Sequence, residues 1–404
     1  MRKITLLLLS IVLVSSTVFA GGYQVRLQGN KQNGFGLVGT PLSWGASSMF
    51  YNPGALSFMK DKMHFEVGAS GVMANGSFQQ AGSSIVEDTD NPLGTPFYVY
   101  GAGKINEMIT VGLAVYTPFG STTKWQDDWS GKFLIQNISL KAIFIQPTIS
   151  FNFNDKFGVG AGFIYTTGGV EINKALNYGS NSTVNLDAKA SGMGFNLGLF
   201  YKASDKLSLG LDYRSKINMK VEDGDATFTV PSSLHSLIPA ANTFDTELPL
   251  PGNLDFGVAF QATDKLLIAL ELDWVMWSTY DSLTFTFHEN GELLNSTNPR
   301  EYKDSFIPRI GIQYDMMENL QLRAGAYYDT SPTNADYFTP ETISLNTFAY
   351  TLGLSYSPID MLSIDLSFLQ LFGQKSEKAY TPDNFKGTYQ VITYIPGLGV
   401  SLRF

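Results

Sequence analysis

Arg214, Arg309 and Arg323 are the residues of this chain best suited to holding a ligand. Each falls on the polar phase of a stretch in which apolar and polar residues alternate. A guanidinium presents a planar fork of donors that matches a carboxylate, so one at the end of an apolar pocket would grip an acidic ligand. Acidic residues share that phase, among them Asp255, Glu271, Asp273 and Asp365. Pairing of the arginines with these acids is the competing reading. Catalysis finds little support. His64, His235 and His288 are the only histidines and lie far apart without metal-ligand spacing. No Gly-x-Ser-x-Gly elbow or phosphate-binding glycine loop occurs. The expectation is a protein that is not an enzyme and uses no metal and no cofactor. Its formal charge of −9 makes nucleic acid an unsuitable partner. With 0 cysteines it must hold together without disulfides.

The stretches carrying these residues are strands by their period. Leu207-x-Leu209-x-Leu211-x-Tyr213, Leu266-x-Ile268-x-Leu270-x-Leu272-x-Trp274 and Leu320-x-Leu322-x-Ala324-x-Ala326-x-Tyr328 all alternate. The chain closes on Ile392-x-Tyr394-x-Pro396-x-Leu398-x-Val400-x-Leu402-x-Phe404, and a terminal aromatic suits the interfacial girdle of an outer-membrane barrel. At the other end, Arg2 and Lys3 precede the apolar run 4–14, and Val18-Phe19-Ala20 offers a small-residue cleavage site. Residues 1–20 therefore read as a secretory signal. Their loss, which removes two cations and no acid, takes the charge from −9 to −11. No later stretch approaches the roughly 20 apolar residues of a spanning helix.

Short polar turns, such as Asn154-Asp155-Lys156 and Thr263-Asp264-Lys265, take turns with long irregular segments near 78–94, 118–133, 220–249 and 330–343. Tight turns on one rim and long loops on the other belong to a bacterial outer-membrane barrel. The fold expected is all-β, a 14-stranded antiparallel transmembrane β-barrel over residues 62–404, in the outer membrane of a Gram-negative bacterium. Such a barrel is too wide to be filled by its own side chains. Residues 21–61 lack alternation and are rich in Gly and Ser, so they are expected to fold back as an N-terminal hatch in the lumen. Gly21, Tyr23, Val25 and Leu27 would then reach a bound ligand. The alternative is a loose periplasmic tail.

The sequence also resembles the FadL long-chain fatty acid transporter family, which includes aromatic hydrocarbon transporters. The resemblance rests on Gly21-Gly22-Tyr23-Gln24, Gly34-Phe35-Gly36 and Ser47-Ser48-Met49-Phe50-Tyr51-Asn52-Pro53-Gly54-Ala55-Leu56. Further along lie Tyr116-Thr117-Pro118-Phe119-Gly120, Trp125…Trp129-x-Gly131, Gln146-Pro147, Tyr213-Arg214-Ser215, Trp274-x-x-Trp277 and the run 322–332. The family usually shows Asn-Pro-Ala where this chain has Asn52-Pro53-Gly54. What the resemblance implies is passive inward movement of hydrophobic molecules, caught at an extracellular groove, held in the lumen and released sideways at a kinked third strand. It makes Asn52, Pro53 and Gly54 candidates for hatch gating, with an ordinary turn as the simpler reading. It makes Gly112 and Ala114, inward-facing on the third strand, candidates for the lateral exit. The alternative there is a glycine that lets the hatch approach.

Leu234, Leu237, Ile238 and Phe244, in the long segment 220–249, form a candidate capture groove, or else a cap over the barrel mouth. Trp274, Trp277 and Tyr280 suit an interfacial anchor. The expected function is passive outer-membrane uptake of hydrophobic compounds, foremost long-chain fatty acids. Monoaromatic hydrocarbon uptake and a non-transporting surface barrel are the alternatives. Expected partners are fatty acids or hydrocarbons, outer-membrane lipid and lipopolysaccharide, with the chain acting as a monomer.

Overall fold

The computed structural model describes residues 22–179 and 181–404, so the signal segment 1–20 and Gly21 lie outside the described residues. Alternation dictates the architecture. β1 runs Met63–Ser70 and, after a break, Met73–Gln80; β2 is Phe97–Lys104, β3 Ile109–Lys124, β4 Asn137–Phe153 and β5 Phe157–Ala175. β6 is Thr183–Lys202, and β7 joins Leu207–Arg214 to Ile217–Thr229. β8 joins Ala241–Leu250 to Asn253–Thr263, β9 joins Leu266–Val275 to Ser282–Phe287, and β10 joins Ser296–Pro299 to Ser305–Met317. β11 is Leu320–Asp329, β12 Thr347–Ile359, β13 Leu362–Gly373 and β14 Phe385–Arg403. Each strand pairs antiparallel with its sequence neighbour, and β1 closes on β14 through pairs such as Val67 with Val400. The result is a closed antiparallel barrel of fourteen strands.

The medium outside is apolar. On β5, Phe163 is 52% exposed while the adjacent Ile164 is fully buried. Large exposed apolar side chains repeat around the whole cylinder, for instance Leu113, Leu197, Leu270, Leu352 and Leu398. A continuous greasy band of this kind is stable only against lipid. No helix among the described residues is long and apolar enough to cross a membrane, so crossing falls to the strands.

Residues 22–59 lie inside the cylinder. They form two single-turn helices, Asn30–Asn33 and Ser48–Tyr51, and a 3-10 turn, Pro53–Phe58. Elements so short have no stability of their own in water, and the wall holds them. The contact is paved with glycine. A Cβ on Gly54 would stand 2.7 Å from the Gly198 carbonyl oxygen and 2.9 Å from that of Gly158, and one on Gly160 would stand 2.3 Å from Pro53. Gly54 is therefore needed for close approach, and Asn52-Pro53-Gly54 opens an ordinary 3-10 turn in which Gly54 takes no positive φ. Asn52 caps the 3-10 turn by accepting from the Gly54 N–H at 2.9 Å, and its amide donates to the carbonyls of Thr40 and Leu199.

Three sequence expectations need correction. Segment 220–249 is mostly strand: only about residues 230–240 form the loop between β7 and β8. The charged residues interleaved at Glu222, Asp223 and Asp225 hid the inward series Val221, Ala226 and Phe228. Trp277 and Tyr280 are buried within the lumen, because β9 breaks at a 3-10 turn, Trp277–Thr279, that turns both rings inward. The wall at Gly112 and Ala114 is continuous, with Gly112 paired to Ala102 and Thr148, and Ala114 to Tyr100 and Gln146. A Cβ on Gly112 would meet the Met49 sulfur at 2.5 Å, so that glycine serves the internal segment, and no opening lies there.

Candidate functional site

The irregularity of β3 falls a few residues further on. Its register against β4 slips between Tyr116 and Phe119. Pro118 has no N–H to give a ladder, which makes this position tolerant of a bulge. The pairing of β2 with β3 ends at Tyr98 with Tyr116, followed by the Phe97 N–H donating to Thr117 Oγ1 at 2.9 Å. Residues 89–94 then run with β1, through the Thr89 N–H to the Gly76 carbonyl and the Val72–Gly94 bridge. They regain β3 only where the Asp90 N–H meets the Lys124 carbonyl at 2.8 Å. Between those contacts the edge of β3 is taken from the inside. The Val25 N–H donates to the Pro118 carbonyl at 2.7 Å, and the Gly120 N–H to the Tyr23 carbonyl at 3.0 Å.

Tyr23 also borders an apolar slot. Leu140, Val170, Met219, Leu248 and Phe285 line it from β4, β5, β7, β8 and β9, and Ser121 from bulged β3. The Tyr23 ring meets Trp277 edge-on at 4.9 Å, and its hydroxyl donates to the Pro249 carbonyl. Leu27 is buried behind it and Val25 half-buried. Glu341 is the one charged group lining the slot among the described residues. Its carboxylate accepts from Arg300 Nη2 at 2.5 Å, and Arg300 is itself buried. Lys174, two residues beyond the slot residue Ile172 on the inner face of β5, takes part in no ion pair among the described residues.

The three arginines singled out from sequence are elsewhere, on the seam between the internal segment and the wall. Arg309 gives Nη1 to Glu271 at 2.8 Å and Nη2 to Asp273 at 2.7 Å. Arg214 donates to the Tyr116 hydroxyl at 2.8 Å and to the Phe50 carbonyl at 2.6 Å. Arg323 donates to Gln313, Gln321 and Ser355 and lies over the Trp44 ring. None lines the slot. A fourth arginine, not foreseen, completes the seam: Arg26 bonds Asp255 Oδ2 at 2.9 Å and Asp273 Oδ2 at 3.0 Å. Glu271 further accepts the N–H groups of Gly39 at 3.0 Å and Thr40 at 2.8 Å. Three carboxylates and two guanidiniums thus tie the internal segment to β8, β9 and β10.

Of the four capture-groove residues, Ile238 and Phe244 are buried, Leu234 is half-buried, and only Leu237 is exposed, at 54%. They make no continuous patch. Asp223, Asp245 and His288 approach one another on the outer rim. Nδ1 of His288 faces Asp223 at 3.4 Å while Nε2 faces Asp245 at 3.1 Å. The ring lies between the acids as a brace, with one ring nitrogen toward each. Sequence reasoning missed Pro118, Arg26, Lys174 and Arg300. A proline inside an alternating strand was the available signal for the first.

A closed outer-membrane barrel, with an internal N-terminal segment and an apolar slot beside a bulged strand, defines the class: a channel for hydrophobic solutes. The chain belongs to the outer membrane protein transport protein family (OMPP1/FadL/TodX), whose model matches residues 11–404. It is 25% identical over 411 residues to a putative outer membrane protein of Neisseria meningitidis, covering 88% of this chain and 86% of the relative. Among solved structures, a Pseudomonas aeruginosa FadL homologue superposes with a TM-score of 0.82 at 18% identity, covering 95% of this chain and all of that one. The Pseudomonas putida toluene transporter TodX gives 0.76 at 17%, covering 96% and 99%. The family comprises passive transport channels for hydrophobic compounds, not enzymes, and the protein resides in the outer membrane.

Proposed function

We propose that the protein carries long-chain fatty acids, which settle in the slot beside Tyr23 and leave sideways past Pro118. One observation carries this reading. The short segment Tyr23–Val25 both borders the slot and occupies the free edge of β3. A ligand that displaces Tyr23 therefore also frees the break in the wall. The lining supplies an acyl chain with apolar surface, at roughly 0.8 kcal/mol per buried methylene. The choice of a carboxylate ligand is supported by Lys174, two residues past the slot residue Ile172, and by Arg300, which pairs with the slot residue Glu341. Residues 22–59, including Asn52-Pro53-Gly54, act as the hatch, with the arginine seam as its fastening. A single chain encloses the whole route, so the working unit is a monomer.

Equilibrium binding to purified protein in detergent tests the ligand class. Oleate should bind, and Lys174→Gln should weaken it about tenfold or more, the worth of a charge-assisted hydrogen bond. A neutral hydrocarbon of similar length should be indifferent to that change. Equal losses for both ligands, or toluene binding more tightly than oleate, would instead support monoaromatic uptake.

A further inference from the structure

The outer face of the wall carries a pair of lysines placed by register. Lys141 on β4 pairs with Gly169 on β5, and Gly169 pairs with Lys189 on β6. All three positions point outward, and both lysines are exposed. Two strand spacings separate them, about 10 Å, and the glycine between leaves the floor open. Lys220 on β7 stands beside them, paired to Ser191 on one flank and to Glu247 on the other. None of the three lysines takes part in an ion pair among the described residues.

Their height on the wall is set by what lies below. Descending the outward face of β6 from Lys189, one passes Ser191 and then the exposed apolar series Met193, Phe195, Leu197 and Leu199. The series ends at Tyr201, stacked on Phe157 at 4.5 Å in the periplasmic girdle. Tyr201 to Lys189 is twelve residues, about 40 Å along the strand and about 30 Å upright at a barrel's usual tilt. The apolar band of such barrels is about 25 Å tall, so the lysines stand just past its outer edge. One step further out, Glu171, Asp187 and Asp225 lie side by side on β5, β6 and β7. An anion is therefore excluded from below by lipid and repelled from above by carboxylates, and is attracted only at the lysine tier.

We infer that Lys141 and Lys189, with Lys220 beside them, bind a phosphate of the phosphorylated glycolipid that forms the outer leaflet. The site is on the outer face of the wall, with Leu140, Gly169 and Ala190 lining the slot on the opposite face, and it owes nothing to the ligand carried. Native mass spectrometry of the detergent-purified full chain with bis-phosphorylated lipid A tests it. The Lys141→Gln/Lys189→Gln double variant should retain at least tenfold less lipid A than the parent chain, and Lys141→Arg/Lys189→Arg should restore it. Lipid A stripped of both phosphates should bind the parent as weakly as intact lipid A binds the double variant. Equal retention by parent and double variant, undiminished binding of the phosphate-free lipid, or displacement of lipid A by millimolar inorganic phosphate would each overturn the assignment. Unchanged heat-shifted migration on gels and unchanged uptake of apolar ligand certify that the variants fold.

Discussion

Arg26 links the terminal residues of the internal segment to the wall, and its removal leaves Asp255, Glu271 and Asp273 with one guanidinium among them. Deleting one member of a buried ionic set typically costs about 3–5 kcal/mol, since the remaining charges cannot reach water. Arg26→Ala should thus lower the thermal midpoint in detergent and raise sensitivity of intact cells to large antibiotics. Adding Asp255→Asn should recover part of the loss; no recovery would mean that Arg26 acts through packing alone. Gly54→Ala meets the backbone of β5 and β6, which cannot turn aside as a side chain could. A destabilisation of about 1–3 kcal/mol is expected, read as earlier melting. His288 is held above its ordinary pKa of 6.5, chiefly by its hydrogen bond to Asp245. Because the folded value is the higher one, the brace helps fully below the ordinary pKa and fades as pH rises through the raised value. An NMR titration should place the midpoint above 6.5, and Asp245→Asn should bring it back down.

Among the elements, β3 carries the proposed exit. Its outer half bends at Thr117-Pro118, loses β2 and gains the N-terminal residues as neighbours. Deleting Pro118 should remove the bulge, restore an even register with β4 and seal the wall. The expected result is intact binding of oleate by the purified protein with uptake by cells abolished. If transport survives the deletion, the ligand does not leave at this strand. β9 shows the same logic inside the lumen. Its break at Trp277–Thr279 turns aromatic rings into the bore, where Trp277 supports Tyr23. Alternation ahead of the break gave no hint of the reversal, because a 3-10 turn of three residues carries no periodic signature.

At the scale of the molecule, stability comes from closure. The last residue joins the first strand, with the Lys62 N–H donating to the Phe404 carbonyl at 2.8 Å and the Phe404 N–H donating to the Met63 carbonyl at 3.0 Å. In lipid an unpaired ladder has no water to turn to, and each exposed peptide group costs several kcal/mol. Removing residues 402–404 strips partners from both Met63 and Phe65. The truncated chain should lose the compact, heat-shifted form on unboiled gels, and a normal shift would show that closure does not depend on this seam.

The sequence alone determined the strand number, the side facing lipid and the presence of a non-strand segment ahead of the barrel, because lipid imposes a strict period of two and turn residues mark each reversal. It also offered the glycines at 158, 160 and 198 without saying what they accommodate. Tertiary structure decided which charges pair, that Arg214, Arg309 and Arg323 belong to the seam while Arg300 pairs with the slot residue Glu341, and that the register slips at Thr117-Pro118 and stays even at Gly112. Those outcomes depend on contacts between residues as distant as Arg26 and Asp273, Tyr23 and Trp277, or Val25 and Pro118. A local period reports the direction of each side chain, not what waits for it across the bore.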